Sequence, residues 1–238
     1  RMLHQAFRSL ARYNATFDPD GGSSEGPGYW SYGFGHYVFL AQLMEARWGK
    51  RLSIWDEPFH RKVSAFPFRA RLSPGRPVNF SDCDPKASHS PALLAYLGRR
   101  FRIPELHHLA LEGRSRGSTH KNNNLLSWAL RNLVWTLHRR LPGKFPSPAH
   151  TWYSGLHWMI SRFDPSDPDT LVLAAKAGNN GEMHNQNDVG SFIVHWKQES
   201  LIAELGRGRY TKAYFGPRRY DLLVNGSFGH SVPLPGGV

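Results

Sequence analysis

The stretch PGKFPSPAH, residues 142–150, has three prolines in nine residues and separates two kinds of sequence pattern. Proline removes a backbone donor and disfavours helix in the residue before it, so a helix rarely continues through such a stretch. Before it, apolar residues recur at helical spacing; after it, they form short β-rich runs. The sequence therefore predicts a multidomain α+β chain, with a helical part followed by a strand part.

The helical part contains a series of segments with apolar residues three and four positions apart. The clearest are MLHQAFRSLARY (2–13) and FGHYVFLAQLMEARW (34–48). Weaker patterns predict helices near 53–64, 91–101 and 104–112, and a longer helix over 123–141. No strand pattern interrupts these segments.

The strand part predicts five or six short strands bounded by turn residues. Its clearest segments are DTLVLAAKAG (169–178), GSFIVHW (190–196) and SLIAEL (200–205), and KQE joins the last two as a hairpin. The change of pattern predicts two domains, residues 1–147 and 148–238, each with its own core.

The net positive charge of the chain comes entirely from its first part. Residues 1–150 carry 22 Lys and Arg against 10 Asp and Glu, whereas residues 151–238 carry 8 of each. This excess favours an anionic partner, although a solvated basic surface would explain it equally well. We find no helix-turn-helix, zinc-finger or RNP signature for a nucleic acid and no apolar run of membrane-spanning length. The single cysteine, Cys83, excludes an intramolecular disulfide.

The segment HNQNDVGSF (184–192) places polar side chains at the entrance of a strand. Histidine titrates near neutral pH, so His184, which is followed by amide side chains, is suited to proton transfer. An Asx-type turn is the structural alternative.

A second segment, DGGSSEGPGYWSYG (20–33), is a glycine-rich loop that leads into a helix. If that helix begins near Tyr29, then Tyr29, Tyr32 and His36 lie on one face, preceded by Glu25. Aromatic core packing is the alternative explanation for the two tyrosines. Further along, GRGRYTKAYFGPRRYD (206–221) interleaves basic and aromatic residues, and NGSFGH ends at His230. Arginines bind carboxylate or sulfate groups, and aromatic rings stack on sugars.

Taken in order with ELGRGRYT (204–211) and RRY (218–220), these segments resemble the heparinase II/III-like polysaccharide lyases. Their relatives include oligoalginate lyases and dermatan sulfate epimerase. The resemblance implies an incomplete α/α toroid followed by an antiparallel β-sandwich. We expect this sequence to be a fragment that holds the C-terminal part of the toroid and a sandwich incomplete at its C-terminus.

The resemblance also implies β-elimination on polysaccharides that contain uronic acid. It assigns Tyr29 as the acid, and in some members also the base, with His184 assisting or acting as the other base. Tyr32 is the fallback for Tyr29. The implied substrate-binding residues are Glu25, Tyr32, His36, Asn185, Asn187, Arg218 and Arg219. The residues that neutralise the uronate carboxylate come from upstream helices in the family, so either another residue substitutes for them here or the fragment alone is inactive.

Some family members also hold a structural zinc ion. The corresponding positions here are Gln186, Glu204 and His230, and glutamine is a weak zinc ligand. The resemblance therefore requires no cofactor and leaves open a structural divalent metal such as zinc.

Three alternatives remain at this stage. Reprotonation of the same carbanion from the other face would make the protein a uronyl C5-epimerase. A non-catalytic module that binds anionic glycans would need the basic surface but not Tyr29 or His184. The charge alone also fits a nucleic acid. The resemblance implies a periplasmic or secreted location, and the sequence does not indicate an oligomeric state.

Overall fold

A computed structural model describes residues 2–115, 126–135 and 145–237. Within these ranges the chain is helical first and then forms a sheet, so the predicted mixture of helix and sheet is confirmed. The helices, in chain order, are α1 (Met2–Asn14), α2 (Gly26–Trp48), α3 (Glu57–Arg69), α4 (Pro91–Arg100), α5 (Pro104–Ser115) and α6 (Leu126–Trp135). The predicted helix over 123–141 is confirmed only for α6; its remaining residues lie outside the described ranges.

Local signals explain where several helices begin. Asp56 and Ser90 cap α3 and α4, because their side chains accept hydrogen bonds from the backbone N–H groups of Phe59 and Leu93. Helix α2 begins at Gly26, three residues before the predicted start at Tyr29. Gly26 has a φ of 76°, and Pro27 occupies the first turn, where its missing N–H costs nothing.

A short hairpin follows α3 and contradicts the prediction that no strand interrupts the helices. Strand β1 (Arg71–Ser73) pairs antiparallel with β2 (Arg76–Pro77) across Pro74 and Gly75. Gly75 has a φ of 70°, as the third position of a type II turn requires. The strands hold three and two residues, too few to show an alternating pattern.

The later part of the chain forms one five-stranded antiparallel sheet in which neighbours in sequence are neighbours in space. Its strands are β3 (His150–Tyr153), β4 (Trp158–Arg162), β5 (Val172–Lys176), β6 (Phe192–Trp196) and β7 (Glu199–Ile202). The predicted hairpin between β6 and β7 is confirmed. Lys197 and Gln198 both have positive φ, which gives the two-residue turn that fits the twist of paired strands.

The buried hydrophobic residues form one cluster that includes both helices and sheet, so the prediction of separate cores is wrong. The Phe66 ring on α3 lies 5.2 Å from that of Tyr153, and the Phe80 ring lies 5.1 Å from that of Trp158. The inner face of the sheet therefore packs on aromatic residues of the helical part. The domain limits, the toroid and the sandwich stay predictions.

Candidate active site

Asp82 is the centre of a hydrogen-bonded cluster that joins the two parts of the chain. It lies in the loop between β2 and α4, and its side chain is buried. The groups that donate to it are His184 Nδ1 at 3.0 Å, Tyr210 Oη at 2.8 Å, Gln186 Nε2 at 3.1 Å and Tyr214 Oη. Burial alone would raise the pKa of Asp82, but these four hydrogen bonds outweigh it, and the pKa is lowered. Asp82 is therefore a carboxylate at neutral pH.

His184 lies in the loop between β5 and β6, where its backbone has a φ of 53°. Its Nδ1 atom contacts Asp82, and its Nε2 atom lies 3.5 Å from Glu25 Oε1. The hydrogen bond to Asp82 and then that to Glu25 raise the pKa of His184 to about 9, although partial burial opposes them. The imidazole is therefore positively charged at neutral pH.

Tyr29, in the first turn of α2, completes the cluster. Its ring stacks on that of His184, with the centroids 4.3 Å apart and the planes 20° apart. Its hydroxyl lies 2.7 Å from the hydroxyl of Tyr210. Because Tyr210 donates its only hydroxyl proton to Asp82, Tyr29 must donate to Tyr210. A proton path thus runs from Tyr29 through Tyr210 to a buried carboxylate.

Tyr210 and Tyr214 are phenols rather than phenolates. Burial, followed by the hydrogen bonds within the cluster, raises the pKa of Tyr210 far above its ordinary value. Burial and the negative charge of Asp82 do the same for Tyr214. Sequence reasoning missed both tyrosines as site residues, although both lie in the basic and aromatic segment 206–221. It also missed Asp82, for which the loop sequence NFSDCDP carries no distinguishing pattern.

A buried lysine fixes the loop that carries His184. Lys176, at the end of β5, is 1% exposed and lies 2.9 Å from both carboxylate oxygens of Asp188. It also lies 2.9 Å from Glu182. These two partners flank His184 in sequence, so one cation holds both ends of the loop segment.

The two asparagines and Arg219 make contacts within the protein. Asn185 accepts hydrogen bonds from Tyr220 Oη at 2.8 Å through its side chain and from Arg219 Nη2 at 2.7 Å through its carbonyl. The backbone N–H of Asn187 donates to the carbonyl of Asn225. These contacts brace the loop beside His184. The substrate-binding roles of these residues stay predictions.

The remaining predicted substrate-binding residues have no direct contact with Asp82. Arg218 is exposed and forms an ion pair with Asp221 at 2.6 Å. Tyr32 is 51% exposed, and its carbonyl lies 2.7 Å from His36 Nδ1. The structure thus brings together Tyr29, Glu25 and His184, while Tyr32 and His36 lie further along α2.

Glu204 and His230, at the predicted zinc position, contact each other. Gln186 Oε1 and His230 Nε2 are buried without a hydrogen-bond partner among the described residues, so a structural metal here stays a prediction. Glu204 Oε1 lies 2.6 Å from His230 Nδ1 and accepts the N–H of Leu205, while its Oε2 accepts from Ser191. Gln186 donates to Asp82 instead of joining this pair. Across the described ranges, no group of three His, Cys, Asp or Glu side chains could hold a metal ion. Nor is any helix in these ranges long and apolar enough to cross a membrane.

The comparisons with known proteins gave structural matches only; no family profile and no curated protein matches the sequence. The fold is similar to that of heparan sulfate lyase HepC from Pedobacter heparinus, with a TM-score of 0.58 at 15% identity, and to a mutant of that enzyme, with 0.61 at 16%. It is also similar to heparinase III, the BT4657 gene product, with a TM-score of 0.61 at 15% identity.

Each match covers 90% of this chain but only 30% of the lyase chain. At such low identity the likeness concerns the fold alone. The chain is therefore similar in fold to part of the heparan sulfate lyases.

Proposed function

We propose that this chain is part of a carbon–oxygen lyase that cleaves uronic-acid-containing polysaccharide by β-elimination. The observation that carries the proposal is the contact between Tyr29 and His184, which are 155 positions apart and stack at 4.3 Å. A phenol and a charged imidazole on one surface supply a proton-transfer group beside a cation. The fold shared with part of the heparan sulfate lyases supports this reaction class.

In the proposed reaction, Tyr29 transfers the proton and His184 stabilises charge. Tyr29 is a phenol at rest and first loses its hydroxyl proton to solvent. The resulting phenolate takes the C5 proton, and the C–H electron pair becomes the C4–C5 double bond. The C4–O4 bond breaks, and the leaving oxygen takes the proton back from Tyr29. His184 stabilises the negative charge that develops on the uronate carboxylate.

The charge of His184 favours the assisting role over that of the other base. With its pKa near 9, the imidazole holds its proton at pH 7 and is a poor base there. Its Nε2 atom lies 3.5 Å from Glu25 Oε1, which makes a long and weak hydrogen bond, so the Nε2–H can also donate to a ligand carboxylate. We therefore assign acid and base to Tyr29, and neutralisation of the carboxylate in part to His184, with Glu25 orienting the ring.

Replacing Tyr29 by phenylalanine tests the assignment. In the full-length protein that carries this chain, Tyr29→Phe should lower the formation of unsaturated uronate by about 10²-fold or more. Near-ultraviolet absorbance measures that product on heparan sulfate and alginate. Binding of the same glycans should change less than about threefold, because the ring remains. Tyr96→Phe, on α4 and outside the Asp82 cluster, is the matched control and should keep full activity.

The same assay distinguishes the alternatives. Unchanged turnover in Tyr29→Phe would reject the assignment of the acid. Solvent-deuterium incorporation without unsaturated product would identify an epimerase, and glycan binding without either would identify a non-catalytic module. Preference for single-stranded DNA over every uronate polymer across a salt series would reject a glycan partner. A periplasmic or secreted location is part of the proposal.

A further inference from the structure

A cavity of about 420 Å³ lies on the boundary between helices and sheet. Its walls come from β1, α5, residues 145–147 and the connection between β4 and β5. None of the residues that line it belongs to the Asp82 cluster. The cavity is therefore a second concave site, and the proposed function makes no use of it.

Two nearly buried arginines line this cavity. Arg71 is 6% exposed and Arg162 is 4% exposed. Arg71 Nη1 lies 3.2 Å from both carboxylate oxygens of Glu112. Within the part of the chain that the structure describes, Arg162 donates only to backbone carbonyls, those of Pro148 at 2.9 Å and of Arg71. Among the described residues, the Arg162 guanidinium has no carboxylate partner.

The acidic residues described around the cavity do not form an ion pair with Arg162. Glu112 already binds Arg71 and lies 2.9 Å from His108 Nε2. Asp167 is exposed at the rim, and its carboxylate accepts the N–H of Asp169. Residues 116–125 and 136–144, next to these walls in sequence, contain no Asp or Glu at all.

Arg162 nevertheless stays charged. Burial, and then the positive charge of Arg71, lowers the pKa of Arg162 to about 10, which still leaves it protonated at neutral pH. A buried charge without a counterion is strongly destabilising, so an anion in the cavity would stabilise the fold.

The hydroxyl groups of the lining fit an anion as well. Ser147 Oγ accepts from Arg71 Nε at 2.9 Å, and Thr170 Oγ1 accepts from the N–H of Asp164 at 2.8 Å. Each hydroxyl proton is thus left to donate to a ligand. Guanidinium groups bind oxyanions through paired N–H donors, and hydroxyl donors add directional contacts.

We propose that this cavity binds a tetrahedral oxyanion, sulfate or phosphate. The source is either the inorganic ion or a sulfate ester on a sugar, and the volume accommodates both. The site acts independently of the lyase chemistry, so it stands whether or not the proposed function holds.

Calorimetric titration of the protein with sodium sulfate, sodium phosphate and glucosamine 6-sulfate tests the proposal. Sodium chloride at equal ionic strength and unsulfated glucosamine are the reference ligands. We expect saturable binding of the oxyanions and none of the reference ligands. Tighter binding of glucosamine 6-sulfate than of sulfate would identify a sugar ester as the source, and equal binding would identify the inorganic ion.

Variants locate the binding. Arg162→Gln should weaken sulfate binding at least tenfold, whereas Arg51→Gln removes the same charge from an exposed position and should leave it unchanged. Ser147→Ala keeps both guanidinium groups and should weaken binding about threefold to tenfold, which covers the case in which Arg162→Gln does not fold. The proposal would be overturned if sulfate bound no more strongly than chloride. It would also be overturned if sulfate bound equally to the wild type and to a folded Arg162→Gln or Ser147→Ala variant.

Discussion

Asp82 sets the charge of the group that stacks on Tyr29. A carboxylate with four hydrogen-bond donors holds its negative charge even when buried, and that charge holds a proton on His184. The same interaction contributes to stability. Because the pKa of His184 is raised from 6.5 to about 9, the contribution is complete below about pH 6.5 and is lost as the pH rises through about 9.

Asp82→Asn is therefore expected to change the pH dependence of the reaction. Without the carboxylate, the pKa of His184 should fall from about 9 toward 6.5. If the charged imidazole is needed, activity is present below its pKa, so the alkaline limb of the kcat/KM profile should move to lower pH. Asp84→Asn, two positions away in the same loop, should leave the limb in place. An unmoved limb in Asp82→Asn would show that His184 does not act as a cation.

At this scale the sequence indicated two residues of the candidate site, Tyr29 and His184, but not the residue that positions His184. The motifs around Tyr29 and His184 indicated both residues, and the structure places their rings in contact. Asp82 was not predictable from pattern, because a single aspartate in a loop has no periodicity and its partner His184 is 102 positions away. The catalytic roles of Tyr29 and His184 stay predictions.

The loop between β5 and β6 is the element on which the candidate site depends most. Lys176 lies between the carboxylates of Glu182 and Asp188, with almost no exposure to water. These three residues form the clamp that holds both ends of the segment around His184. Removing one partner of such a buried ion-pair group destabilises a protein more than replacing the whole group with apolar residues, because the remaining charges are left buried and unpaired.

Lys176→Met should therefore destabilise the protein by about 3–5 kcal/mol, measured as the free energy of unfolding in urea. Lys86→Met, at an exposed position, should change it by no more than about 0.5 kcal/mol. Adding Asp188→Asn to Lys176→Met should recover part of the loss, because one unpaired charge is removed. A loss below about 1 kcal/mol in Lys176→Met would contradict the clamp.

Helices and strands were predictable from the sequence where they are long or where turn residues mark their ends. Helices α3, α4 and α5 were each predicted within a few residues, and strands β5, β6 and β7 lie where the β-rich runs predicted them. The hairpin of β1 and β2 was not predictable because its strands are too short for a period. The predicted start of α2, near Tyr29, was three residues too late. Pro27, in its first turn, lies in a glycine-rich segment that was interpreted as a loop.

The whole molecule has a core that is continuous across the proposed domain boundary. The sequence showed which faces of the helices and strands are apolar, but not which face packs on which. Two separate cores were therefore an equally consistent prediction until the contacts of Phe66 and Phe80 with the sheet were known.

A continuous core should unfold as one unit. We expect a single transition in guanidinium chloride, with the same midpoint by far-ultraviolet circular dichroism, which reports the helices, and by tryptophan fluorescence. Trp158→Phe, which alters the contact between sheet and helices, should shift both midpoints together. Two separated midpoints in the wild type would show that the helical part and the sheet are independent domains.

The left-handed backbone of His184 restricts what this position can become. The backbone of His184 has a φ of 53°. Most residues other than glycine are strained at positive φ, and asparagine, aspartate and histidine are the ones found there most often. Branched or bulky residues at position 184 would destabilise the loop, whatever their effect on the reaction. Random mutagenesis of this codon should therefore yield few substitutions that keep activity. Backbone geometry should limit them as much as catalysis does.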